Sequence, residues 1–411
     1  MRLLLVGWAS SRLLLLLCLF QVLPLPGPFV SADVEVIYRG WYEVLSGGAY
    51  PADDVTWQYP PAAALAILSP GLLPFLGYPE AFYLLAAACD AAVLALLLVG
   101  VRRRGHSPAG AWVWVVGLPL LGPTSYARYD VMVTAVAVAA LLLVVRRPRL
   151  GGVLVAVGAL LKVWPALLLV GTARGRATRL AWGAAALTVA GLGAGFALFA
   201  PGSLGFLTHQ RERGVEVESL GALVFHVARW FGWQGEARMN YGSIEFLGPY
   251  VGVVTTVSLW LTAAAFGWLL WWRLRARVWT PTTCAEAAFA AVLLFTVTSR
   301  VISPQYMLWL VGLAAVCAAL RSAGQRPAVR LVVAAAAVTV LEFPLLFSLV
   351  VESRPLGVAL IALRNGLLVA AAVVSCAALW RSTVLAPAAL PRPAGLLSRP
   401  AVGRSSDASA R

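Results

Sequence analysis

Against a long apolar background, a few polar residues sit where chemistry on a hydroxyl or a phosphate would need them. The stretch F-V-S-A-D-V-E-V-I-Y-R-G-W, residues 29–41, places Asp33 and Glu35 directly behind an apolar run. A carboxylate there can take a proton from an attacking alcohol. If the segment is helical, the two acids point about 200° apart, so only one faces a cavity. Lys162 is the only lysine in the chain and lies inside an apolar run, three residues before Pro165. A lysine at the bilayer centre costs about 3 kcal/mol on insertion scales. Lys162 therefore either snorkels to an interface or reaches an anion, such as a lipid-linked phosphate, from a broken helix.

Asp130 follows Arg128 in S-Y-A-R-Y-D at the head of an apolar run. An acid there either complements a helix N-terminus or belongs to a site. Arg300, in T-S-R-V-I-S-P-Q-Y, and His209, Arg211, Arg213 and Glu218, in H-Q-R-E-R-G-V-E-V-E-S-L, form two further groups. Arginine's planar fork suits phosphate, although a solvated surface run has the same composition. Trp41, Tyr42, Tyr50, Trp57 and Tyr59 gather where a sugar ring could stack; the alternative is an interfacial aromatic belt. Asp90, in L-A-A-A-C-D-A-A-V, is either an interhelical hydrogen-bonding residue or part of a polar pathway.

The elements that hold these residues must live in a membrane. Of the 411 residues 61% are hydrophobic and 12% are charged, whereas a soluble domain is about a quarter charged. The net charge of +15 comes largely from arginine clusters between apolar runs, at 102–104, 146–149, 174–179 and 273–277. Such clusters mark the cytoplasmic ends of spans and argue against a nucleic-acid partner. Five scattered cysteines and three distant histidines suggest neither a disulfide framework nor a zinc site; carboxylates could still hold a hard cation, but no metal or cofactor is expected.

Spans are expected over 3–24, 78–101, 109–122, 130–145, 181–199, 248–272, 285–298, 305–320, 328–349 and 356–380. Two segments break the scheme. Residues 60–76 carry Pro60, Pro61, Pro70, Gly71 and Pro74 and read as a half-inserted, broken helix; residues 150–171 read as two half-helices bent around Lys162-Val163-Trp164-Pro165. Irregular backbone at membrane depth survives only inside protein or along a cavity, so both breaks point to a cavity. The expected fold class is an all-α integral membrane protein of about 10 to 13 membrane elements. Residues 1–385 form one polytopic domain, and 386–411 a disordered cytoplasmic tail.

Two outer loops are long, 26–59 and 200–247. Within them V-E-V-I-Y-R-G-W-Y-E-V-L and L-G-A-L-V-F-H-V-A-R-W-F read as amphipathic interfacial helices. V-S-A before Asp33 fits a signal-cleavage pattern. Arg12 interrupts the preceding run and everything downstream is polytopic, so an uncleaved first span is expected.

The motifs also come in a recognisable order: D-V-E behind the first span, G-G-A-Y-P ending at Pro51, Q-Y-P-P, R-Y-D, L-L-K-V-W-P-A-L-L-L and S-P-Q-Y-M-L-W-L. In this order the chain resembles the polytopic glycosyltransferases of the GT-C superfamily. It is most similar to glycosyltransferase family 87, the polyprenol-phosphate-mannose-dependent α-mannosyltransferases. The resemblance implies a GT-C-type bundle, a polyprenyl-phosphate-mannose donor and a glycolipid or glycan acceptor. It also implies inverting transfer on the outer face of a bacterial plasma membrane, with Asp33 as the general base. Lys162 and Asp130 match recurring family positions without an assigned role. One departure stands: many such enzymes pair adjacent acids in the first loop, where this chain separates Asp33 and Glu35.

The chemistry is consistent with that. A lipid phosphate is a good leaving group, so one carboxylate suffices for a single inverting displacement, unlike the two of glycoside hydrolases. Its charge calls for cationic donors in a dry site, for which Lys162, Arg300 and Arg211 are the candidates. Tyr59, Trp57, Asp130, Arg128, His209, Glu218 and Gln305 are candidates for holding acceptor or sugar. Two alternatives remain, a flippase of lipid-linked sugars without catalysis and the same transfer with another sugar such as arabinofuranose.

Overall fold

The computed structural model describes residues 1–52, 54–101, 106–206 and 213–386. The first apolar run forms α1 (Arg2–Leu19), and the first long loop contains a π-helical turn, Asp33–Tyr38, that continues into α2 (Arg39–Ser46). Then follow the short α3 (Ala63–Leu68), α4 (Tyr78–Val101), α5 (Ala109–Gly117), α6 (Asp130–Val144), α7 (Pro148–Leu161) and α8 (Arg176–Phe199). The second loop holds α9 (Ala222–Trp230) and leads to α10 (Val251–Arg275), α11 (Thr283–Thr298) and α12 (Tyr306–Ala319). The chain continues with α13 (Arg326–Val340), α14 (Phe347–Val351) and α15 (Pro355–Trp380).

The all-α membrane architecture is as the composition required. Among the described residues six helical stretches are long and apolar enough to cross a membrane, and α6, α7, α11 and α12 are shorter apolar helices. Those shorter helices form the centre. Nearly every residue of α11 and α12 is buried, as expected of helices apolar all round. By contrast α8 and α10 present Leu187, Leu198, Phe199, Leu259 and Trp260 outward, which suits contact with lipid tails. Close approach inside the bundle needs small residues: a Cβ on Gly152 would run into the Ala181 carbonyl, and one on Gly312 into the Thr134 side chain.

The first span, expected over 3–24, ends as α1 at Leu19, and prolines account for two other places where the spans deviate from the sequence expectation. The span expected over 109–122 ends as α5 at Gly117 and tightens into a 3-10 turn, Pro119–Ser125. The one expected over 328–349 stops at Val340, where Pro344 removes a donor and Phe343 leaves helical geometry. Both expected breaks are present. α3 passes into a 3-10 turn at Ser69–Leu72. α7 ends at Leu161, Lys162 is extended, and a 3-10 helix runs over Trp164–Gly171. The two breaks meet, because the Ala62 N–H donates to the Leu160 carbonyl at 3.0 Å.

The second loop also contains a small antiparallel sheet that the sequence pattern did not reveal. Its strands β1 (Val215–Glu216), β2 (Glu236–Asn240) and β3 (Ser243–Leu247) run in the order β1-β3-β2. Tyr241 and Gly242 both have positive φ between the paired Asn240 and Ser243. That is the two-residue hairpin turn for which glycine is preferred, and the N-Y-G-S stretch was its available signal. The tail from 387 onward, together with Asp53, Arg102–Arg104, His209 and Arg211, lies outside the described residues.

Candidate active site

The motifs scattered over the sequence converge on Lys162. Because α7 stops one residue earlier, the Lys162 backbone is extended and its side chain turns into the bundle. Its ammonium donates to Asp130 Oδ1 at 2.7 Å. Four rings surround it, with centroids at 5.1 Å (Tyr129), 5.2 Å (Trp309), 5.5 Å (Tyr59) and 6.0 Å (Tyr306). The rings come from separate motifs: Q-Y-P-P supplies Tyr59, R-Y-D Tyr129, and Q-Y-M-L-W both Tyr306 and Trp309. Trp309 also donates to Asp130 Oδ1 at 2.6 Å and stacks on Trp164 of K-V-W-P. A desolvated ammonium is stabilised by ring faces as well as by its counter-ion.

Asp33 stands at the edge of this cluster. Its carboxylate meets the Arg128 guanidinium at 2.9 Å and its side chain is 31% exposed, whereas that of Asp130 is 1% exposed. Arg128 in turn donates to the Val30 and Ala127 carbonyls, so it ties the turn before Asp33 to the turn before α6. Asp33, not Glu35, is the acid that makes this ion pair. Tyr59 lies between the two ion pairs. Burial pushes its phenol up, Asp130 and Asp33 add to the shift, and Arg128 and Arg213 oppose it.

Arg213 and Arg300 form a second centre. Arg300 donates to the Arg213 carbonyl at 3.1 Å. Arg213 is held by Glu245 of β3 at 2.8 Å and by Ser243 at 2.6 Å. Burial lowers the Arg213 pKa, but Glu245 and Glu216 outweigh it, and the group ends up raised; Arg300 is lowered, by burial and then by Arg213. Both line a groove of about 760 Å³, whose walls include Val251, Thr255, Leu259 and Phe295 of α10 and α11. Asp33 and Lys162 do not line it. Tyr306 is within electrostatic reach of both centres, of Arg213 and Glu216 as well as of Asp130 and Tyr59.

The remaining candidates fall less centrally. Trp57 is 2% exposed, with Trp41, Tyr50 and Tyr59 packed edge-on around it, so it offers no open face to a sugar. Gln305 is half-buried at the start of α12. Glu218 is 4% exposed. Burial, then the neighbouring Glu216 and Glu342 carboxylates, push its carboxyl well above the usual range. Lys162, expected to be a phosphate ligand, has Asp130 as its partner, as Arg213 has Glu245. Sequence reasoning passed over Arg364, which is fully buried on α15; a lone arginine in A-L-I-A-L-R-N-G-L-L-V was the available signal.

Asp90 is more heavily bonded than its apolar sequence context suggested. Its two oxygens accept from Arg12 Nε and Nη2, Trp8, Trp114 and Tyr126, all within 3.2 Å. Compared with known proteins, the chain matches the model of glycosyltransferase family 87 over residues 57–304, more than half its length. No curated protein and no solved structure matches it.

Proposed function

The chain belongs to glycosyltransferase family 87, and from that premise we propose that it transfers a mannosyl residue from polyprenyl-phosphate-mannose to a glycolipid or glycan acceptor at the outer face of a bacterial plasma membrane. The observation that carries this reading is the partly exposed Asp33 carboxylate beside Arg128, at the edge of a buried aromatic cluster. Asp33 is the acid an acceptor can reach, because Asp130 is enclosed and paired to Lys162.

The step is a single displacement. The acceptor oxygen attacks the anomeric carbon and its proton passes to Asp33. The bond from that carbon to the phosphate oxygen breaks, and its electron pair leaves with the lipid phosphate. Configuration inverts because one carboxylate acts and no covalent sugar-enzyme ester forms. Arg213 and Arg300 receive the phosphate at the head of the α10–α11 groove, whose apolar walls suit an isoprenoid tail. Guanidinium groups in a water-poor groove stabilise the departing charge. The Lys162–Asp130 pair and its rings form the floor on which Tyr59 and Tyr306 present their faces to the sugar. Arg211 and His209, outside the described residues, remain candidates from the sequence for the same phosphate and acceptor.

The test is direct. Purified protein in lipid nanodiscs is given polyprenyl-phosphate-mannose and candidate glycolipid acceptors, and the products are analysed by mass spectrometry. A mannosylated product that disappears in Asp33→Asn, while donor binding persists, supports the proposal. Donor turnover that survives Asp33→Asn would sink it, and translocation of the donor without transfer would replace it with a flippase.

A further inference from the structure

Arg364 lies about a third of the way along α15 and is fully buried; it is not among the residues that line the groove. Its Nη2 donates to the Glu218 carbonyl at 2.6 Å and its Nη1 to the Ile302 carbonyl at 3.2 Å. The next residue, Asn365, donates to the same Glu218 carbonyl at 3.1 Å. Glu342 approaches the Arg364 guanidinium to 3.1 Å. One helix therefore grips two separate segments, the strand end at 216–218 and the corner at 300–303.

Those two segments are also stitched to each other. The Glu216 N–H donates to the Arg300 carbonyl at 3.1 Å. The Glu216 carboxylate accepts from the Ile302 N–H at 2.6 Å and from the Ser303 hydroxyl. Arg300 closes the loop by donating to the Arg213 carbonyl. Arg213 stands at the entrance of one segment and Arg300 at the entrance of the other. A buried guanidinium with a buried counter-ion is costly to place, and here it sits at a junction that carries two further arginines.

We propose that Arg364, held by Glu342 and assisted by Asn365, is a positioning residue that sets the spacing of Arg213 and Arg300 for a lipid-linked phosphate. This rests on the assignment of that pair as the donor-phosphate site. Arg364 acts through the two loop segments and makes no contact with substrate. Loss of the grip lets the segments drift and weakens phosphate capture, while proton transfer at Asp33 continues.

The experiment uses full-length protein in nanodiscs, with farnesyl phosphate as a binding probe and donor and acceptor kinetics measured in parallel. Removing the buried pair together, as Arg364→Met with Glu342→Leu, avoids leaving a lone buried charge. The expected result is a roughly tenfold rise in probe Kd and in donor KM, with acceptor KM and kcat within about twofold. Arg364→Lys is expected to restore part of the affinity, because a cation remains but the two-pronged grip does not. If the double variant does not fold, Asn365→Leu leaves the charge pair intact and should raise the donor KM in the same direction, by about threefold. A folded double variant with unchanged probe Kd and donor KM overturns this inference alone. Wild-type protein that ignores farnesyl phosphate overturns the donor-phosphate assignment and this inference with it.

Discussion

Two buried aspartates in this bundle, each paired with a basic residue, show how differently the same charge can be used. Asp90 in α4 is fully enclosed and both its oxygens are occupied, by Arg12 and three aromatic donors. Arg12 also donates to the Val115 and Trp114 carbonyls of α5. Nothing is left over for a ligand. Asp130 in α6 is almost as buried, but only Oδ1 is occupied, by Lys162 and Trp309, while Oδ2 has no partner among the described residues. At the edge of the same cluster Asp33 has one ion pair and an open side. A saturated charge joins helices, and an unsaturated one next to an opening is available for chemistry.

Asp33 and Asp90 should respond most differently to substitution. Asp33→Asn should cut transfer by about 10³-fold, within the range expected for a lost general base, with little loss of melting temperature in detergent, because the amide oxygen can still accept from Arg128 and the position is partly exposed. Asp90→Ala should do the reverse. It strands Arg12 in the bundle, a loss of about 3 to 5 kcal/mol, so the yield and melting temperature should collapse while activity per folded molecule stays near that of the parent. Activity assays normalised to monodisperse protein, alongside thermal unfolding, separate the two. If both variants lose activity and stability together, the distinction between joint and site is wrong.

Lys162 lies between these extremes and sharpens the line. Lys162→Met alone leaves the buried Asp130 uncompensated and should destabilise by about 3 kcal/mol. Adding Asp130→Asn removes that charge as well and should recover most of the stability. If the pair only joins helices, the double variant should recover activity too. If it forms the floor of the site, transfer should stay down by about 10- to 100-fold, the size of a lost positioning group, and kcat/KM against the melting curve decides it.

Much of this candidate site was legible in the sequence, for physical reasons specific to membranes. Lys162 and Asp130 stood out because a charge in an apolar run is expensive and rarely idle. The break at Lys162 was readable because Pro165 cannot continue a helix. Asp33 was readable from its place behind the first span. What the sequence could not show was partnership. In the sequence Arg12 is only an interruption of the first apolar run, since its partner Asp90 is far away in the chain. Arg364 went unnoticed for the same reason: its grips on Glu218 and Ile302 exist only once α15 is packed. The sheet of the second loop was missed because its strands are short and mixed in polarity, so period-two alternation never builds up.

The smallest expected effect concerns Glu218, enclosed behind the same loop, and its sign can be worked out. Burial, reinforced by Glu216 and Glu342, raises its carboxyl well above the ordinary 4.5. In the unfolded chain the group loses its proton near that ordinary value, so above it the folded state binds more protons than the unfolded state. Stability must then fall as pH rises from about 4.5 towards the folded value, since each pKa unit of difference is worth about 1.4 kcal/mol. A glutamine side chain does not titrate, so Glu218→Gln should match the parent near pH 5 and exceed it in melting temperature at pH 8. Thermal unfolding at the two pH values checks this. A variant that loses stability at pH 8 would show that the carboxylate form of Glu218 is used in the folded protein, and would move it from the enclosed set to the side of Asp33.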